Sequence, residues 1–438
     1  MTARTTWANW AGNQRAEAAL LRPRDTDEVA SAVKAAAASG TRVKVIGSGH
    51  SFTGIGVPVD AQLRLDHLAE PVSLDPETGL ATVQAGLPLH RLNRWLEANG
   101  RAMTNLGDIE VQTISGATST GTHGTGASYG GIATQIHAME LVLADGSVVT
   151  CSESERPELF AAARVGLGAL GIVTQLTLKT VPAFALRAEE KPMPMPEVLA
   201  RFDELTSVND HFELYWFPHT QGALTKHNNR VPLEAADQPL SRFRGWLDDE
   251  FLSNTVFGLA QSLELRAPRL VRPVNRFSTK ALSARVYTAT SYRVFTSPRS
   301  VRFCEMEYAV PRETVVDVLR ELDRAIEASG MRIGFPVEVR VAAPDDITLS
   351  TASGRESAYV AVHLDPRLDH EPYFRLVERI MDEVQGRPHW GKLHYLDAPV
   401  LRSRYPRFDE FVALRDALDP EGRFSNAYLD RVLGPVPA

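Results

Sequence analysis

The chain has 438 residues, of which 44% are apolar and 23% charged, and its formal net charge is −7 at pH 7. This length favours two domains over one, and this composition is typical of a globular enzyme rather than of a disordered protein. The negative charge offers no basic face for nucleic acid or for an anionic membrane, so neither is expected as a partner.

The N-terminus and the cysteines indicate in which cellular compartment the protein is expected. The first residues, MTARTTWANWAGN, lack the positive start and apolar core of a secretory signal. A run of about 18 apolar residues, long enough to span a membrane, is absent from the sequence. The two cysteines, Cys151 and Cys304, lie far apart without metal-binding spacing, which favours two buried thiols over a disulfide. We expect a cytoplasmic protein without a metal site.

The first part of the chain alternates helices and strands. Asp25 followed by Glu28 predicts a capping box at the start of an alanine-rich helix, and Gly40 predicts its end. TRVKVIGSG then predicts a strand that runs into a loop. PLHRLNRWLEANG predicts a second helix with Pro88 in its first turn, and Asp145-Gly146 predicts a hairpin turn. GIVTQLTLKTVP predicts a long closing strand.

The character of the sequence changes near Pro182, where PAFALRAEEKPMPMP begins. We place a domain boundary at about residues 180–190. Beyond it, PRETVVDVLRELDRAIEASG predicts an amphipathic helix, with one apolar face made by Val315, Leu319, Leu322 and Ile326. RFCEMEYAVP, FPVEVRVAAPDD and YVAVHLDP predict strands around that helix.

The glycine-rich loop GSGHS, residues 47–51, follows the strand predicted in TRVKVIGSG. It matches neither of the two common nucleotide-binding loops. A Rossmann fingerprint requires a glycine where Phe52 stands and a helix opening there. Gly54, Gly56 and Pro58 exclude that helix. A P-loop requires Gly-Lys-Ser/Thr, which the sequence lacks.

A second glycine-rich stretch covers residues 105–131. Between Ser115 and Gly126, ten of twelve residues are Gly, Ser or Thr. Such a segment supplies backbone N–H and hydroxyl donors and lets a ligand approach the main chain closely, as a pyrophosphate-bearing cofactor requires. The alternative is a flexible linker, which the flanking apolar strands and the embedded His123 disfavour.

The ordered set GSGHS, ISGATSTGTHGTG and LGALGIVTQLTL resembles the FAD-binding domain of the vanillyl-alcohol-oxidase flavoproteins. In the second half, HFELYWFPHT, FCEMEYAVP, PVEVRVAAPDD, HWGK and LDPEGRFSNAYL are similar to the sugar-1,4-lactone oxidases. That branch includes L-gulono- and D-arabinono-1,4-lactone oxidases and dehydrogenases, and the alditol oxidases are close relatives. The resemblance extends from about Trp10 to Leu433.

The resemblance implies an α+β, two-domain flavoprotein. Residues 1–182 would form an FAD-binding domain of two small α/β subdomains, and residues 183–385 an α+β cap domain with an antiparallel sheet. Residues 386–438 would return to the FAD domain.

The resemblance also implies that His50 is the covalent attachment point of FAD, with Gly47 and Gly49 clearing space for the flavin ring. The implied cofactor-binding residues are Ile46, Gly47, Ser48, Gly49, His50, Ser51, Gly107, Asp108, Thr113, Ser115, Gly116, Thr120, Gly121, Thr122, His123, Gly124, Ile172, Val173, His389 and Lys392. A glycine at position 107 favours oxygen as electron acceptor, with hydrogen peroxide as product, although similar lactone dehydrogenases also carry glycine.

Flavin oxidation of an alcohol transfers hydride to the flavin N5 atom and releases the hydroxyl proton. Glu338 and Arg340 stand two residues apart on a strand, hence on one face, where they could clamp a hydroxyl and stabilise negative charge. The resemblance implies that this pair is catalytic rather than a surface ion pair. It also places Lys392 near flavin and substrate, where desolvation could lower its pKa.

His363 and Glu305 complete the implied catalytic set. His363 matches a substrate-pocket histidine of the alditol oxidases, whereas Glu305 replaces a neutral amide of those relatives and Asp108 replaces a serine. These departures favour a lactone substrate over an alditol. The open alternatives are an alditol (xylitol-type) oxidase and a non-catalytic flavin-binding protein.

Overall fold

The computed structural model describes residues 4–237, 265–297 and 301–437. Its strands are β1 Arg4–Ala8, β2 Arg15–Leu21, β3 Val43–Val45, β4 Ala61–Leu63, β5 Pro71–Leu74, β6 Leu80–Gln84, β7 Arg101–Ala102, β8 Ile136–Val142, β9 Val148–Ser152, β10 Ile172–Lys179, β11 Val181–Pro182, β12 Ala185–Pro194, β13 His211–Trp216, β14 Gly222–Val231, β15 Arg285–Thr290, β16 Cys304–Pro311, β17 Val337–Ala342, β18 Ser357–Leu364 and β19 Arg387–Pro388. The described α-helices are α1 Thr26–Ser39, α2 Leu89–Ala98, α3 Ile114–Ser119, α4 Pro157–Ala163, α5 Met195–Ala200, α6 Phe202–Val208, α7 Val271–Ala281, α8 Ser291–Phe295, α9 Val315–Ser329, α10 Glu371–Glu383, α11 Ala398–Arg404, α12 Phe408–Leu418 and α13 Ala427–Leu433.

Two small sheets organise the first part of the chain. The first has the order β1-β2-β4-β3, in which β4 pairs in parallel with both β2 and β3. The second is antiparallel, with the order β5-β6-β10-β8-β9. The Asp145-Gly146 turn joins β8 to β9 as predicted, with Val142 opposite Val148.

Helix α1 shows how the local sequence sets these elements. The Asp25 carboxylate accepts the N–H of Glu28 at 2.7 Å, and Gly40 ends the helix in the left-handed region at φ 68°. Both signals confirm the predicted boundaries. The helix buries Val29 and Val33 in an apolar core that also contains Leu63 of β4, and Thr26 at its start donates to Glu140 of β8 at 3.0 Å, so the helix also contacts the second sheet.

An eight-stranded antiparallel sheet dominates the second part, with the order β15-β12-β14-β13-β17-β18-β16-β19. Its strands alternate between two faces. Val337, Val339 and Val341 of β17 enter a core shared with Leu319 and Leu322 of α9, as the sequence predicts. The intervening side chains of β17 therefore point to the opposite face. That face forms the wall of a large cavity.

The C-terminal helices return to the first core, since Leu401, Phe411 and Val432 belong to the same apolar cluster as Val83 of β6. The Asn426 amide strengthens this docking by donating hydrogen bonds to the carbonyls of Gly54 at 3.0 Å and Val57 at 2.9 Å. The domain boundaries at residues 182 and 385 remain predictions.

Cys151 and Cys304 are both buried free thiols, as expected. Within the three described ranges, none of the helices combines the length and the apolar character that crossing a bilayer requires.

Candidate active site

The loop after β3 is held by backbone hydrogen bonds at both ends, but the N–H groups between those ends have no backbone acceptor among the described residues. Ile46 donates its N–H to Leu63 O at 3.0 Å, and Phe52 donates to Gly391 O at 2.7 Å. Within the described part of the chain, the N–H groups of residues 47–51 donate no backbone hydrogen bond. A row of five unsatisfied donors is a ready anion site, because a pyrophosphate accepts several such bonds at once.

Glycine at position 47 is required by the packing around this loop. A Cβ on Gly47 would lie 2.7 Å from Thr113 Oγ1. Thr113 is fixed there because its hydroxyl caps α3 by accepting the N–H of Gly116 at 3.2 Å. The second glycine-rich stretch therefore forms a short helix against the first loop, and both present main chain to the same space.

Two cavities meet at this loop. The first, of about 340 Å³, lies between the two small sheets. The predicted cofactor residues that line it are Ile46, Gly47, Ser48, Gly49, His50, Ser51, Thr113, Ser115, Gly116, Thr120, Ile172 and Val173. The second cavity, of about 640 Å³, lies against the polar face of the eight-stranded sheet. The predicted site residues that line it are His50, Ser51, Gly107, Asp108, Thr120, Thr122, His123, Glu305, Glu338, Arg340, His363, His389 and Lys392.

His50, Ser51 and Thr120 line both cavities, so the two spaces lie next to each other at the histidine. An elongated molecule could occupy both, with its anionic part on the loop donors and its other end against the large sheet. The donor row, the glycine that packing requires and the adjacent cavities fit FAD.

Gly121 and Gly124 are the predicted residues that line neither cavity. Gly121 has a φ of 80° and closes the turn after α3. A Cβ on Gly124 would lie 2.1 Å from Leu106 O, so this glycine permits close packing of two backbone segments. Both assist the site indirectly by shaping the loop.

His50 is held by an aromatic ring and lacks a charge at neutral pH. Its imidazole stacks on Trp10, with the ring centroids 5.4 Å apart. Burial and the nearby Lys392 ammonium lower its pKa to about 4. A neutral imidazole keeps a lone pair on one ring nitrogen, which is the form that bond formation to carbon requires.

Glu338 and Arg340 lie together on the cavity wall, as their spacing on β17 predicts. The Arg340 Nη2 atom contacts the Glu338 carboxylate directly and lies 3.5 Å from Asp108 Oδ2 across the cavity. Both side chains of the pair are buried. The carboxylates of Glu338 and Asp108 hold the pKa of Arg340 well above its ordinary value, although burial opposes this.

Lys392 reaches the same cavity and contacts the Glu305 carboxylate. His363 Nε2 lies 3.6 Å from the other oxygen of Glu305. Burial disfavours the ammonium, but the charges of Glu305 and Glu307 raise the pKa of Lys392 above its ordinary value. The expectation of a lowered pKa is therefore wrong, because the sequence did not reveal that two carboxylates would flank the amine.

Glu307 is a site residue that the sequence analysis missed. It stands two residues after Glu305 on β16, so the alternation in FCEMEY could have placed it on the same face. Its Oε1 lies 3.3 Å from His123 Nε2, and that imidazole lowers the pKa of Glu307 despite burial.

His123, Glu307 and His389 bring three possible metal ligands within 4.8 Å of one another. One ring nitrogen of each histidine has a backbone partner, however. His123 Nδ1 lies 2.9 Å from Gly124 O, and His389 Nδ1 accepts the N–H of Gly391 at 3.1 Å. The group is explained as a buried cluster of hydrogen-bonding side chains, and the expectation of no metal remains a prediction.

The fold and the adjacent cavities define a two-domain flavoprotein. Residues 17–152 match the family model of an FAD-binding domain. A crystal structure of cholesterol oxidase from B. sterolicum superposes with a TM-score of 0.83 at 16% identity, covering 99% of this chain and 97% of that chain, which confirms the fold.

Residues 176–432 match the family model described as D-arabinono-1,4-lactone oxidase. The chain is 41% identical to L-gulono-1,4-lactone dehydrogenase of Mycobacterium tuberculosis, over 98% of this chain and 99% of the relative. It is 34% identical to L-gulonolactone oxidase of Bos taurus, over 94% of each, and 31% identical to alditol oxidase of a Streptomyces species, over 98% and 99%. The chain therefore belongs to the D-arabinono-1,4-lactone oxidase family.

The buried carboxylates predict how stability depends on pH. The pKa values of Glu213, Glu305 and Glu307 lie below the ordinary value, so these groups release protons more easily in the folded state. Their contribution is complete above the unfolded-state pKa of about 4.3 and is lost as pH falls towards the folded values. The free energy of unfolding should fall below about pH 4.5, by up to about 1.4 kcal/mol per pH unit for each group.

Urea denaturation at several pH values measures this dependence. Glu305→Gln should show a shallower loss between about pH 4.5 and 3 than the unmodified chain, because one titrating group is removed. Glu383→Gln, at an exposed position on α10, serves as the matched control. Equal slopes for the Glu305 variant and the unmodified chain would contradict the interpretation.

Proposed function

We propose that this protein is an FAD-dependent oxidoreductase that oxidises a secondary alcohol of a sugar-1,4-lactone, such as L-gulono-, L-galactono- or D-arabinono-1,4-lactone. The observation that carries the proposal is the placement of two charge pairs, Glu338–Arg340 and Glu305–Lys392, in the lining of one cavity that adjoins the loop of residues 47–51. FAD, when bound, supplies the acceptor for the hydride that leaves the alcohol carbon.

The side chains have distinct tasks in this proposal. Glu338 accepts the hydrogen bond of the reacting hydroxyl, fixes its orientation and receives the hydroxyl proton as the hydride leaves the carbon. The Lys392 ammonium donates to the same hydroxyl oxygen and stabilises the negative charge that develops as the proton leaves. Because its pKa is raised, Lys392 acts as a donor and not as the initial base.

Arg340 supplies a permanent positive charge beside the reacting atoms. Its planar fork can contact Glu338 and still direct N–H groups into the cavity. Glu305 holds Lys392, and His363 stands at the edge of the same group, where it can bind a more distant hydroxyl of the substrate.

The electron acceptor is proposed to be oxygen, which would yield hydrogen peroxide. Gly107 lines the large cavity, and a Cβ there would lie 3.2 Å from both His123 O and Thr122 Cγ2. An added methyl group would therefore crowd the contact of this segment with residues 122–123, and the choice of oxygen rests on the family resemblance, in which glycine at this position favours oxygen. The dehydrogenase name of the Mycobacterium tuberculosis relative keeps another acceptor as the alternative.

An alditol oxidase is the second candidate, favoured by His363 at the cavity wall and by the relative of that name. A non-catalytic flavin-binding protein is disfavoured, because it would have no use for two buried ion pairs that face an open cavity. Burying these charged groups costs desolvation free energy, and a catalytic role accounts for their presence where a purely structural role does not.

Substrate turnover distinguishes these functions. Under anaerobic conditions, the three lactones should bleach the flavin absorbance much faster than xylitol does. Admission of oxygen should then restore the absorbance and release peroxide. Without oxygen, an artificial dye should restore the absorbance and become reduced itself, with no peroxide formed. Bleaching by xylitol but not by the lactones would favour the alditol oxidase, and no bleaching by either class would exclude both enzymes.

Truncation of Glu338, Arg340 or Lys392 to alanine should leave folding and flavin content intact. Each loss should cost about 2–4 kcal/mol of transition-state stabilisation, or roughly 30- to 1000-fold in kcat/KM. Arg340→Lys should not restore full rate because the planar fork is lost. Arg320→Ala, at an exposed position on α9, is the control. Reduced stability with activity per bound flavin within about twofold would indicate structural ion pairs instead.

We also propose that His50 binds FAD covalently. Its neutral imidazole, which lines both cavities, supports this role. The denatured protein should show flavin fluorescence on a gel, and His50→Ala should abolish it, whereas His67→Ala, at an exposed position, should not. Release of all flavin from the acid-precipitated unmodified protein would refute the covalent bond.

A further inference from the structure

A row of alternating charges crosses the large sheet and ends at Arg340. Strand register places Glu190 opposite both Arg285 and Lys226, and Lys226 opposite Glu213. Arg340 follows next, because Leu214 pairs with Val339 and the register continues by one residue. We call the five residues Arg285, Glu190, Lys226, Glu213 and Arg340 the charge row.

Three of the four neighbouring pairs in the charge row contact each other directly, whereas Glu190 and Lys226 are related by strand register and by the attraction of their charges. Arg285 Nη2 donates to Glu190 Oε1 at 2.7 Å, and Lys226 Nζ lies 3.0 Å from Glu213 Oε1. Arg340 Nε donates to Glu213 Oε2 at 3.0 Å. With adjacent strands about 4.8 Å apart, the row extends over roughly 19 Å, from an edge strand to the cavity.

The order of the signs matters because the row is mostly buried. Glu190, Glu213 and Arg340 are 5%, 8% and 8% exposed. In such surroundings an unpaired charge is costly, so each inner member depends on the opposite charges at its two sides. The charges of Lys226 and Arg340 hold the pKa of Glu213 below its ordinary value against the effect of burial.

Glu213 contacts Arg340 at the end of the guanidinium that is away from Glu338, and it is not part of the cavity lining. It takes the Nε donor, while the Nη2 end meets Glu338 and approaches Asp108. A guanidinium bound at Nε by one carboxylate and at Nη2 by another has a fixed plane. Tyr215 adds a link, since its hydroxyl lies 3.4 Å from oxygens of both Glu213 and Glu338.

We propose that Glu213 is a positioning residue for Arg340, and that Lys226, Glu190 and Arg285 keep Glu213 ionised and in place. Glu213 is not part of the cavity lining, and it acts on the reaction through the Arg340 guanidinium that it holds. This inference rests on the proposed function, because it assumes that Arg340 serves the reaction. It adds that residues up to four strands away from Arg340 influence the rate.

Sulfite titration of the bound flavin separates positioning from simple charge. Sulfite adds to the flavin ring and places negative charge there, so a well-placed Arg340 strengthens binding. Removing the negative charge of Glu213 would by itself strengthen sulfite binding, whereas loosening Arg340 would weaken it. Glu213→Gln should therefore weaken sulfite binding and lower kcat/KM, each about tenfold, with unchanged flavin content.

Glu190→Gln is the distant test, and it is the fallback if Glu213→Gln fails to fold. We expect a loss in the same direction of about threefold in both measurements. Glu189→Gln is the matched control, because Glu189 is adjacent on β12 but points to the other face, where it pairs with Lys191 at 2.7 Å. That control should stay within about twofold.

In an Arg340→Lys background, Glu213→Gln should have little further effect, since the fork that it positions is absent. Unchanged or stronger sulfite binding in both row variants, or full additivity with Arg340→Lys, would overturn the inference. An Arg340→Lys variant with full activity would instead contradict the proposed function, so the two failures are distinguishable.

Discussion

The need to neutralise buried charge at the wall of the large cavity governs this structure. The polar face of the eight-stranded sheet carries Glu305, Glu307, Glu338 and Arg340, all buried. Carboxylates at such depth persist in ionised form only beside cations. Lys392 and Arg340 supply cations to Glu305 and Glu338, and the His123 ring lies 3.3 Å from Glu307; the three side chains come from different segments of the chain. Each charged side chain in the cavity wall is therefore stabilised by an opposite charge from another side chain.

A small residue, Ala361, separates two of the carboxylates on this face of the sheet. Ala361 of β18 lies opposite Glu338 on one side and Glu307 on the other. Its methyl group leaves a depression between the two carboxylates, whereas a larger side chain would fill it. The apolar face of the same sheet has the opposite character, with Val337, Val339 and Val360 packed in the core. One sheet thus supplies both the rigid support and the reactive wall, which favours accurate placement of catalytic groups.

Much of this fold was predictable because local signals decide it. The capping of α1 by Asp25, the turn at Gly146 and the two-residue spacing of Glu338 and Arg340 are properties of short segments. The family resemblance supplied the order of the domains and the implied site residues. The raised pKa of Lys392 and the roles of Glu307 and Glu213 were missed, because they depend on the pairing of strands far apart in the sequence. The register between two strands that are far apart in the sequence cannot be predicted from either strand alone.

The loop of residues 47–51 has a consequence for how the protein is made. Its first end is fixed by Leu63, but its second end depends on the carbonyl of Gly391, and Thr53 also bonds Trp390 O at 3.0 Å. During synthesis the loop therefore leaves the ribosome long before the segment that holds it. The cradle reaches its final shape only when almost the whole chain has been translated, so cofactor capture must follow synthesis. A nascent chain stopped short of Gly391 would have the glycine loop without its second anchor.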